Sequence, residues 1–167
     1  MNNQLTQKDI EDMQAEIDHR KLVLRPQLLE DVKEARAHGD LSENFEYHAA
    51  KQAKNKNESR IRFLERMIKT AHVIRDSSAA DEAGINKTVT LYIPEDDCEE
   101  SYTIVSTIRE DSLSGLISVE SPMGKALLHH RVGETVRIRV NDSYSYDVEI
   151  RKIEEAGSAA DAELAKY

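Results

Sequence analysis

Two stretches of helical periodicity, separated by a short polar connection, constrain the fold of this chain most strongly. The first stretch runs from Leu5 to about Ala37, and its apolar residues recur at steps of three, four or seven. They are Ile10, Met13, Ile17, Leu24, Leu28, Val32 and Ala35. The second stripe comprises Ala50, Asn57, Ile61, Leu64, Ile68 and Ala71. Such stripes predict two long amphipathic helices that fold back as an antiparallel hairpin. Pro26 predicts a kink or a division of the first helix near Arg25.

The connection between the stripes, residues 37–44, reads Ala-His-Gly-Asp-Leu-Ser-Glu-Asn. Gly39 is a good terminator for the first helix, and Asp40 or Ser42 is a good N-cap for the second. Asp40 and Glu43 also have the spacing of a capping box, which is a purely structural explanation for both acids. Because an arm of roughly 25 to 30 residues spans on the order of 40 Å, these acids are predicted to lie at the end of a thin rod.

The second half of the chain has a different pattern. Residues 77–84 are small and polar, which indicates a linker. Alternating apolar residues over residues 88–93 and 144–150, with a turn at residues 141–143, predict strands and a hairpin. Ser121 followed by Pro122 predicts the start of a short helix. We therefore expect a small, mainly antiparallel sheet domain with one helix packed on it.

These patterns define an α+β protein with four parts. The helical hairpin is assigned to residues 1–76, the linker to 77–84, the sheet domain to 85–157 and a tail to 158–167. The tail is predicted to be either frayed or weakly helical.

Charge is distributed unevenly along the chain. The formal net charge of −9 and the pI near 5.2 exclude a protein that coats nucleic acid with its whole surface. Residues 51–75 nevertheless hold eight Lys or Arg against two Glu, whereas residues 76–167 hold nine basic and nineteen acidic side chains. The basic segment of the second helix either contacts RNA or a partner protein, or is a solvated helix face.

Several other function classes are not favoured by the composition. No apolar run is long enough to span a membrane and no secretory signal begins the chain, so a cytoplasmic location is expected. The single cysteine, Cys98, lies in an acidic run that disfavours its thiolate, and it has no second cysteine with which to form an internal disulfide. His38 and His48 flank the connection, but neither a third His nor a Cys lies nearby. The sequence therefore does not indicate a zinc site.

Three segments carry a specific resemblance to a known family: Arg25-Pro26, the run from Ala35 to Asn44, and the run from Glu46 to Lys51. They closely resemble the tip signature of the Gre transcript-cleavage factors, in their GreA-like branch. Further matches lie at Arg60-Ile61, Leu64-Glu65, residues 71–74, residues 117–122 and Ala126-Leu127. The resemblance covers nearly the whole chain in the same order, without the first few residues and those after about residue 155.

The resemblance implies a coiled-coil hairpin that enters the secondary channel of bacterial RNA polymerase and an FKBP-like C-terminal domain that binds at the channel rim. It implies that the tip carboxylates act when the polymerase has backtracked and the RNA 3′ end is extruded. The factor, acting as a monomer, would then stimulate the polymerase to hydrolyse its own transcript. It would bind no cofactor alone and would not be an enzyme, but would share Mg²⁺ with the polymerase active site.

The tip residues receive distinct roles on this resemblance. Asp40, the shorter acid beside Gly39, is the candidate for direct metal contact. Glu43 is the candidate for orienting the attacking water, by a hydrogen bond or as a general base. Residues expected to support the tip are Gly39, Ser42, Asn44, Phe45 and Tyr47. Residues expected to contact RNA or polymerase are Lys51, Lys54 and Arg60.

Two positions depart from the family pattern. Phe45 stands where the family usually carries a small residue, and Ser59 replaces a common glycine. A ring at the tip either alters the fit in the channel or stacks on a displaced base, as aromatic side chains do with single-stranded RNA.

Three other functions remain open from the residues alone. The first is a channel-binding regulator that modulates or inhibits polymerase without stimulating cleavage. The second is a peptidyl-prolyl isomerase, suggested only by the fold resemblance of the C-terminal domain. The third is a coiled-coil interaction protein whose tip is merely a capped turn. Retention of the run from Asp40 to Asn44 favours cleavage over the first, and the C-terminal domain shows no aromatic-lined pocket that would favour the second.

Overall fold

The chain forms two compact units in a computed structural model that describes residues 3–39, 43–157 and 162–165. The first unit contains Asn3 and Lys8–Ala71, and the second contains Gln4–Gln7 and the chain from His72 onward. The structure thus changes unit at residues 71 and 72, a few positions before the boundary expected after residue 76. Within the described residues, no helix is long and apolar enough to cross a membrane.

The first unit is a helical hairpin. Its first arm comprises helix α1 (Gln7–His19), a π-helical turn (Arg20–Leu24) and helix α2 (Arg25–Ala37). The second arm is a single helix, α3 (Phe45–Lys69). His19 and Leu24 both have right-handed helical backbone angles, so the first arm continues without a break through its π turn.

The π turn lies just before Pro26, where the division of the first helix was predicted. Proline has no backbone N–H to donate, and its ring crowds the carbonyl of the residue four positions earlier. A π turn lengthens the hydrogen-bonded loop by one residue and is a recognised way for a helix to accommodate such a defect. The irregularity predicted near Arg25 is therefore present as a π turn within a continuous helical arm.

The predicted stripes form the interior of the hairpin. Met13 and Ile17 of the first arm and Ile61 and Leu64 of the second are almost completely buried. Ala35 is buried near the end of α2. Burial of such side chains is worth roughly 1.5–3 kcal/mol each, and this stabilises two helices that would be marginal alone.

Polar side chains cross-link the same two arms. Arg20 Nη1 donates to Asn57 Oδ1 at 2.9 Å, and Asn57 Nδ2 donates back to the Arg20 carbonyl at 3.3 Å. Arg25 donates two hydrogen bonds to the Glu58 carboxylate, from Nε at 2.7 Å and from Nη2 at 2.9 Å. That bidentate contact lowers the pKa of Glu58 below its ordinary value. We refer to these four residues as the polar layer of the hairpin.

The second unit is built on a five-stranded sheet. The strands are β3 (Lys87–Ile93), β4 (Cys98–Val105), β5 (Leu116–Ser118), β6 (Thr135–Arg139) and β7 (Ser145–Glu155), in the order β5-β4-β3-β7-β6. Neighbouring strands are antiparallel except β4 and β5, which are parallel. Two further short strands, β1 (Asn3–Leu5) and β2 (Ala71–Val73), form a separate two-stranded sheet. The predicted α+β organisation is confirmed, with a mixed rather than wholly antiparallel main sheet.

One face of the sheet is covered by the predicted short helix, α4 (Pro122–Leu127). Ser121 caps it by accepting from Gly124 N at 3.0 Å, and Leu127 is completely buried in the core. The core also contains alternate residues of β3, namely Val89, Leu91 and Ile93. The proline-initiated helix and the strand alternation were both predicted.

The segment predicted as a linker, residues 77–84, is part of the second unit. Ala83 is completely buried in the core, and its backbone exchanges hydrogen bonds with His129 and His130. Lys87, only 1% exposed, donates from Nζ to the carbonyls of Ala79 and Glu82 at 2.5 and 3.0 Å. Ala83 and Gly84 are buried, whereas residues 77–82 are exposed or half-buried, so the segment is held by its buried end and by the two carbonyls that Lys87 binds.

Close approach of α4 to the sheet makes Gly124 a sensitive position. A Cβ added to Gly124 would lie 2.1 Å from the Ser118 carbonyl oxygen, a backbone atom that cannot move aside freely. Gly124→Ala should therefore destabilise the protein by about 1–3 kcal/mol through overpacking. Urea unfolding followed by circular dichroism measures this, with Lys125→Ala as the control at the next, exposed position. An unchanged midpoint for Gly124→Ala would contradict the packing described.

Candidate functional site: the tip of the helical hairpin

Asn44 closes the end of the hairpin. It is the N-cap of α3, with an extended backbone (φ −87°, ψ 92°), and its Oδ1 accepts from Tyr47 N at 3.1 Å. Its Nδ2 donates to the Ala35 carbonyl at 2.6 Å. A single amide side chain therefore both begins the second arm and ties it to the end of the first.

The observed cap corrects one expectation from the sequence. We predicted Asp40 or Ser42 as the cap, with Glu43 as the third helical residue of a capping box. Glu43 instead lies one residue before the cap, outside α3. Asn, Asp and Ser have nearly equal cap preferences, so sequence spacing alone does not choose among them. Asp40 and Ser42 themselves lie outside the described residues.

Glu43 is exposed to solvent. Within the described part of the chain, its carboxylate makes no hydrogen bond or ion pair. Gly39, on the other side of the tip, has φ +130°, a conformation that side chains with a Cβ rarely adopt. Gly39 thus lies after the end of the first arm, and the Glu43 side chain is exposed just before the second arm begins.

Tyr47 packs below the tip. The Arg36 guanidinium lies 5.5 Å from the centre of its ring, and the His48 ring meets it edge-on at 5.6 Å. Hydrogen bonding by Arg36 lowers the pKa of Tyr47, and the charges of Lys51 and Lys54 act in the same direction. Three basic side chains therefore lie around Tyr47, just below the tip.

Arg36 was not among the residues selected from the sequence. The spacing of the two arms could have identified it. Arg36 lies eleven positions after Arg25, and Tyr47 lies eleven positions before Glu58. In an antiparallel hairpin, the register that pairs Arg25 with Glu58 also pairs Arg36 with Tyr47.

The three basic residues proposed to contact RNA or polymerase are placed differently. Lys51 is exposed and Lys54 is half-buried, both on α3 near the tip. Arg60 is only 7% exposed and donates to Glu16 at 2.8 Å, with its guanidinium 5.5 Å from the Phe63 ring centre. The assignment of Arg60 as a contact residue is therefore corrected, because its charge is already paired inside the hairpin.

Phe45 is the first residue of α3 and is 86% exposed. His38 and Glu46 pair at 3.2 Å near it. Across the described residues, no group of three or more His, Cys, Asp or Glu side chains is arranged to hold a metal ion.

Cys98, in the second unit, has the character expected from its surroundings. Burial and the neighbouring charges of Glu100, Asp96 and Asp97 raise the pKa of its thiol. A hydrogen bond to Glu100 raises the pKa of the adjacent Tyr102 to about 12. The thiol therefore stays protonated and is a poor nucleophile at neutral pH.

Comparison with known proteins covers both units. The family described as "Transcription elongation factor, N-terminal" matches residues 3–73, and the one described as "Transcription elongation factor, GreA/GreB, C-term" matches residues 78–155. The transcription elongation factor GreA of Streptococcus pneumoniae serotype 19F (strain G54) is 42% identical over 151 residues, which is 90% of this chain and 94% of that protein. The GreA of Streptococcus sanguinis (strain SK36) is 40% identical with the same coverage.

Among solved structures, the GreA factor homolog 1 (Gfh1) protein of Thermus thermophilus is 26% identical. The match covers 92% of this chain and 99% of that chain, with a TM-score of 0.43.

A helical hairpin and a sheet unit that both match elongation-factor families define an accessory protein of transcription. The chain belongs to the GreA/GreB family of transcription elongation factors. Its activity is therefore exerted together with RNA polymerase, and the resemblance noted in its sequence is confirmed.

Substitutions of Asn44 can test its two hydrogen bonds separately. Asn44→Ala removes the cap and the bond to the Ala35 carbonyl, and should cost about 0.5–2 kcal/mol of local stability at the tip. Asn44→Asp keeps a cap acceptor but loses the amide donor, so its effect should be intermediate. Hydrogen exchange of the amides of residues 45–50 measures both variants.

The control is Asn55→Ala, at an exposed position within α3 where alanine favours the helix. Exchange in Asn44→Ala that matches the unmodified protein would show that Asn44 does not hold the tip.

Proposed function

We propose that this factor inserts the tip of its hairpin into the secondary channel of a bacterial RNA polymerase. There it stimulates endonucleolytic cleavage of the backtracked RNA 3′ end and so rescues arrested complexes. The observation that carries the proposal is the position of Glu43, an exposed carboxylate at the end of a two-helix rod, outside the helix cap. The site of action is the bacterial cytoplasm, where the polymerase transcribes.

The shape of the first unit suits insertion into a narrow channel. The 25 residues of α3 span roughly 37 Å at about 1.5 Å per residue, and two packed helices are only about 20 Å wide. The interior of the rod is held by buried apolar residues and by the polar layer. Such a rod carries an acid deep into a partner without unfolding.

The exposed carboxylate at the tip suits the chemistry of phosphodiester hydrolysis. Hydrolysis of a phosphodiester proceeds by in-line attack of water, with negative charge developing on the entering and leaving oxygens. Mg²⁺, when shared with the polymerase active site, would neutralise that charge. The exposed carboxylate of Glu43 fits this purpose, because Mg²⁺ prefers hard oxygen ligands and keeps several waters.

Each tip residue has a role under this proposal. Asp40 would supply an oxygen ligand to the shared ion. Glu43 would accept a hydrogen bond from the attacking water and orient it, or take its proton as a general base. Asn44 would hold both acids at the end of the rod through its two hydrogen bonds. Lys51, Lys54 and Arg36 would attract RNA phosphates through local positive charge.

The factor would have no hydrolytic activity by itself. A solvated tip with one Asp and one Glu offers too few ligands to assemble a two-metal site. The catalytic power in this proposal belongs to the polymerase, and the factor completes its site.

Removal of the carboxylates tests the proposal. In reconstituted, backtracked elongation complexes with Mg²⁺, the double variant Asp40→Asn, Glu43→Gln should lose the stimulated cleavage by about 100-fold or more while still binding polymerase. Appearance of shortened transcripts on a gel measures the rate.

Glu46→Gln is the matched control, since Glu46 is an exposed acid on α3 that pairs with His38. Equal cleavage by the double variant and the unmodified protein would refute carboxylate donation. Binding without any acceleration by the unmodified protein would instead indicate a channel-binding regulator.

A further inference from the structure

Phe45 is exposed at the tip of the hairpin, the part of the factor that meets its target under the proposed function. The other phenylalanine of the chain, Phe63, is half-buried beneath Arg60, whereas Phe45 is 86% exposed. A single exposed apolar residue is ordinary on a protein surface. The location of Phe45 is what distinguishes it, because it lies two residues after Glu43 and begins α3.

The backbone holds this ring in a defined place. Asn44, the residue before it, is anchored to Tyr47 N and to the Ala35 carbonyl. Side chains on a helix lean toward its N-terminus, which for α3 is the tip of the hairpin. Two residues separate the Cα atoms of Glu43 and Phe45 by at most roughly 7 Å. The ring and the carboxylate therefore approach the same target.

The surroundings favour a nucleic acid over an apolar protein partner. A protein groove that binds a helix contacts apolar side chains spaced three, four and seven residues apart. The positions at that spacing from Phe45 are His48, Ala49 and Gln52, all exposed and none a large apolar residue. Arg36, Lys51 and Lys54 meanwhile place positive charge around Tyr47, and the Arg36 guanidinium lies 5.5 Å from the centre of its ring.

We propose that Phe45 stacks on an unpaired base of the extruded RNA and thereby positions the scissile phosphate beside Glu43. This inference rests on the proposed cleavage function, and it adds a contact that the carboxylates do not provide. Aromatic rings stack on single-stranded bases of any sequence, because every base offers a π face. Phe45 thus acts on the RNA itself, whereas Asn44 and Tyr47 act through the structure of the tip.

A fluorescent base tests the contact independently of cleavage. Complexes backtracked by a defined length carry 2-aminopurine as the 3′-terminal RNA base, and Ca²⁺ replaces Mg²⁺ to slow hydrolysis. The Asp40→Asn, Glu43→Gln protein with Phe45 intact should quench the fluorescence. The same protein with Phe45→Leu, which keeps apolar bulk but lacks a ring, should not. Unchanged quenching on Phe45→Leu would overturn the inference.

Cleavage rates then test the consequence in proteins with intact carboxylates. Phe45→Leu should slow cleavage about tenfold at sub-saturating factor, and Phe45→Trp should restore it to within about twofold. An abasic 3′-terminal nucleotide should make Phe45→Leu equal to the unmodified protein. The control is Leu22→Ala, at a 76% exposed apolar residue on the first arm.

The outcomes separate the two proposals. Stimulated cleavage by the unmodified protein with no effect of Phe45→Leu would overturn only the stacking. An equal loss with normal and abasic RNA would also overturn it, because the ring would then contact polymerase. Absence of stimulation by the unmodified protein would refute the cleavage function, whatever the fluorescence shows.

Discussion

The polar layer of the hairpin is the constraint on which the rest of the first unit depends. Apolar stripes alone tolerate a shift of one helix along the other by a turn, since one aliphatic contact resembles the next. Asn57, which is 4% exposed, satisfies its amide only opposite Arg20, and Glu58 meets the Arg25 fork only in the same register. Leaving the buried Asn57 amide unpaired would cost roughly 1–3 kcal/mol, and the partly exposed Arg25–Glu58 pair adds a geometric preference for the same register. One alignment of the arms is therefore selected.

That alignment determines what the tip can do. It brings the Ala35 carbonyl within reach of Asn44, and Arg36 over the Tyr47 ring. Asn44 is the N-cap of α3, so Glu43 does not cap the helix, and its side chain is exposed to solvent. Lys51 and Lys54 of α3 add positive charge below the tip.

Much of the architecture could be predicted because it depends on periodicity. Stripes at helical spacing indicated the hairpin, Gly39 its turn, and alternation in β3 and β7 the sheet. Strand β4 was not predicted, because Glu99, Glu100 and Ser101 at its exposed start break the alternation. Residues 77–84 have the composition of a linker, but contacts with the rest of the unit hold them in place. The buried Lys87 binds two of their carbonyls, and the Ala83 backbone bonds to His129 and His130.

Two details of the hairpin and its tip differ from what local sequence patterns predicted. Charge alone could not distinguish an exposed Lys51 from an Arg60 paired with Glu16 inside the hairpin, because partners across the arms depend on register. The three-residue spacing of Asp40 and Glu43 predicted a capping box. The neighbouring Asn44 is an equally good cap, and it also donates a hydrogen bond to the Ala35 carbonyl of the first arm. Both errors arise where a local pattern competes with a contact between distant segments.

Stimulated cleavage requires delivery of the tip to the extruded transcript, and site-specific cross-linking tests this delivery most directly. A photoreactive benzophenone amino acid at position 46, an exposed site one residue after Phe45, is irradiated in backtracked elongation complexes. The account predicts a cross-link to the RNA 3′-terminal nucleotides that disappears when the RNA end is returned to the polymerase active site. A bound factor that cross-links only to polymerase, with no RNA product in either state, would contradict it.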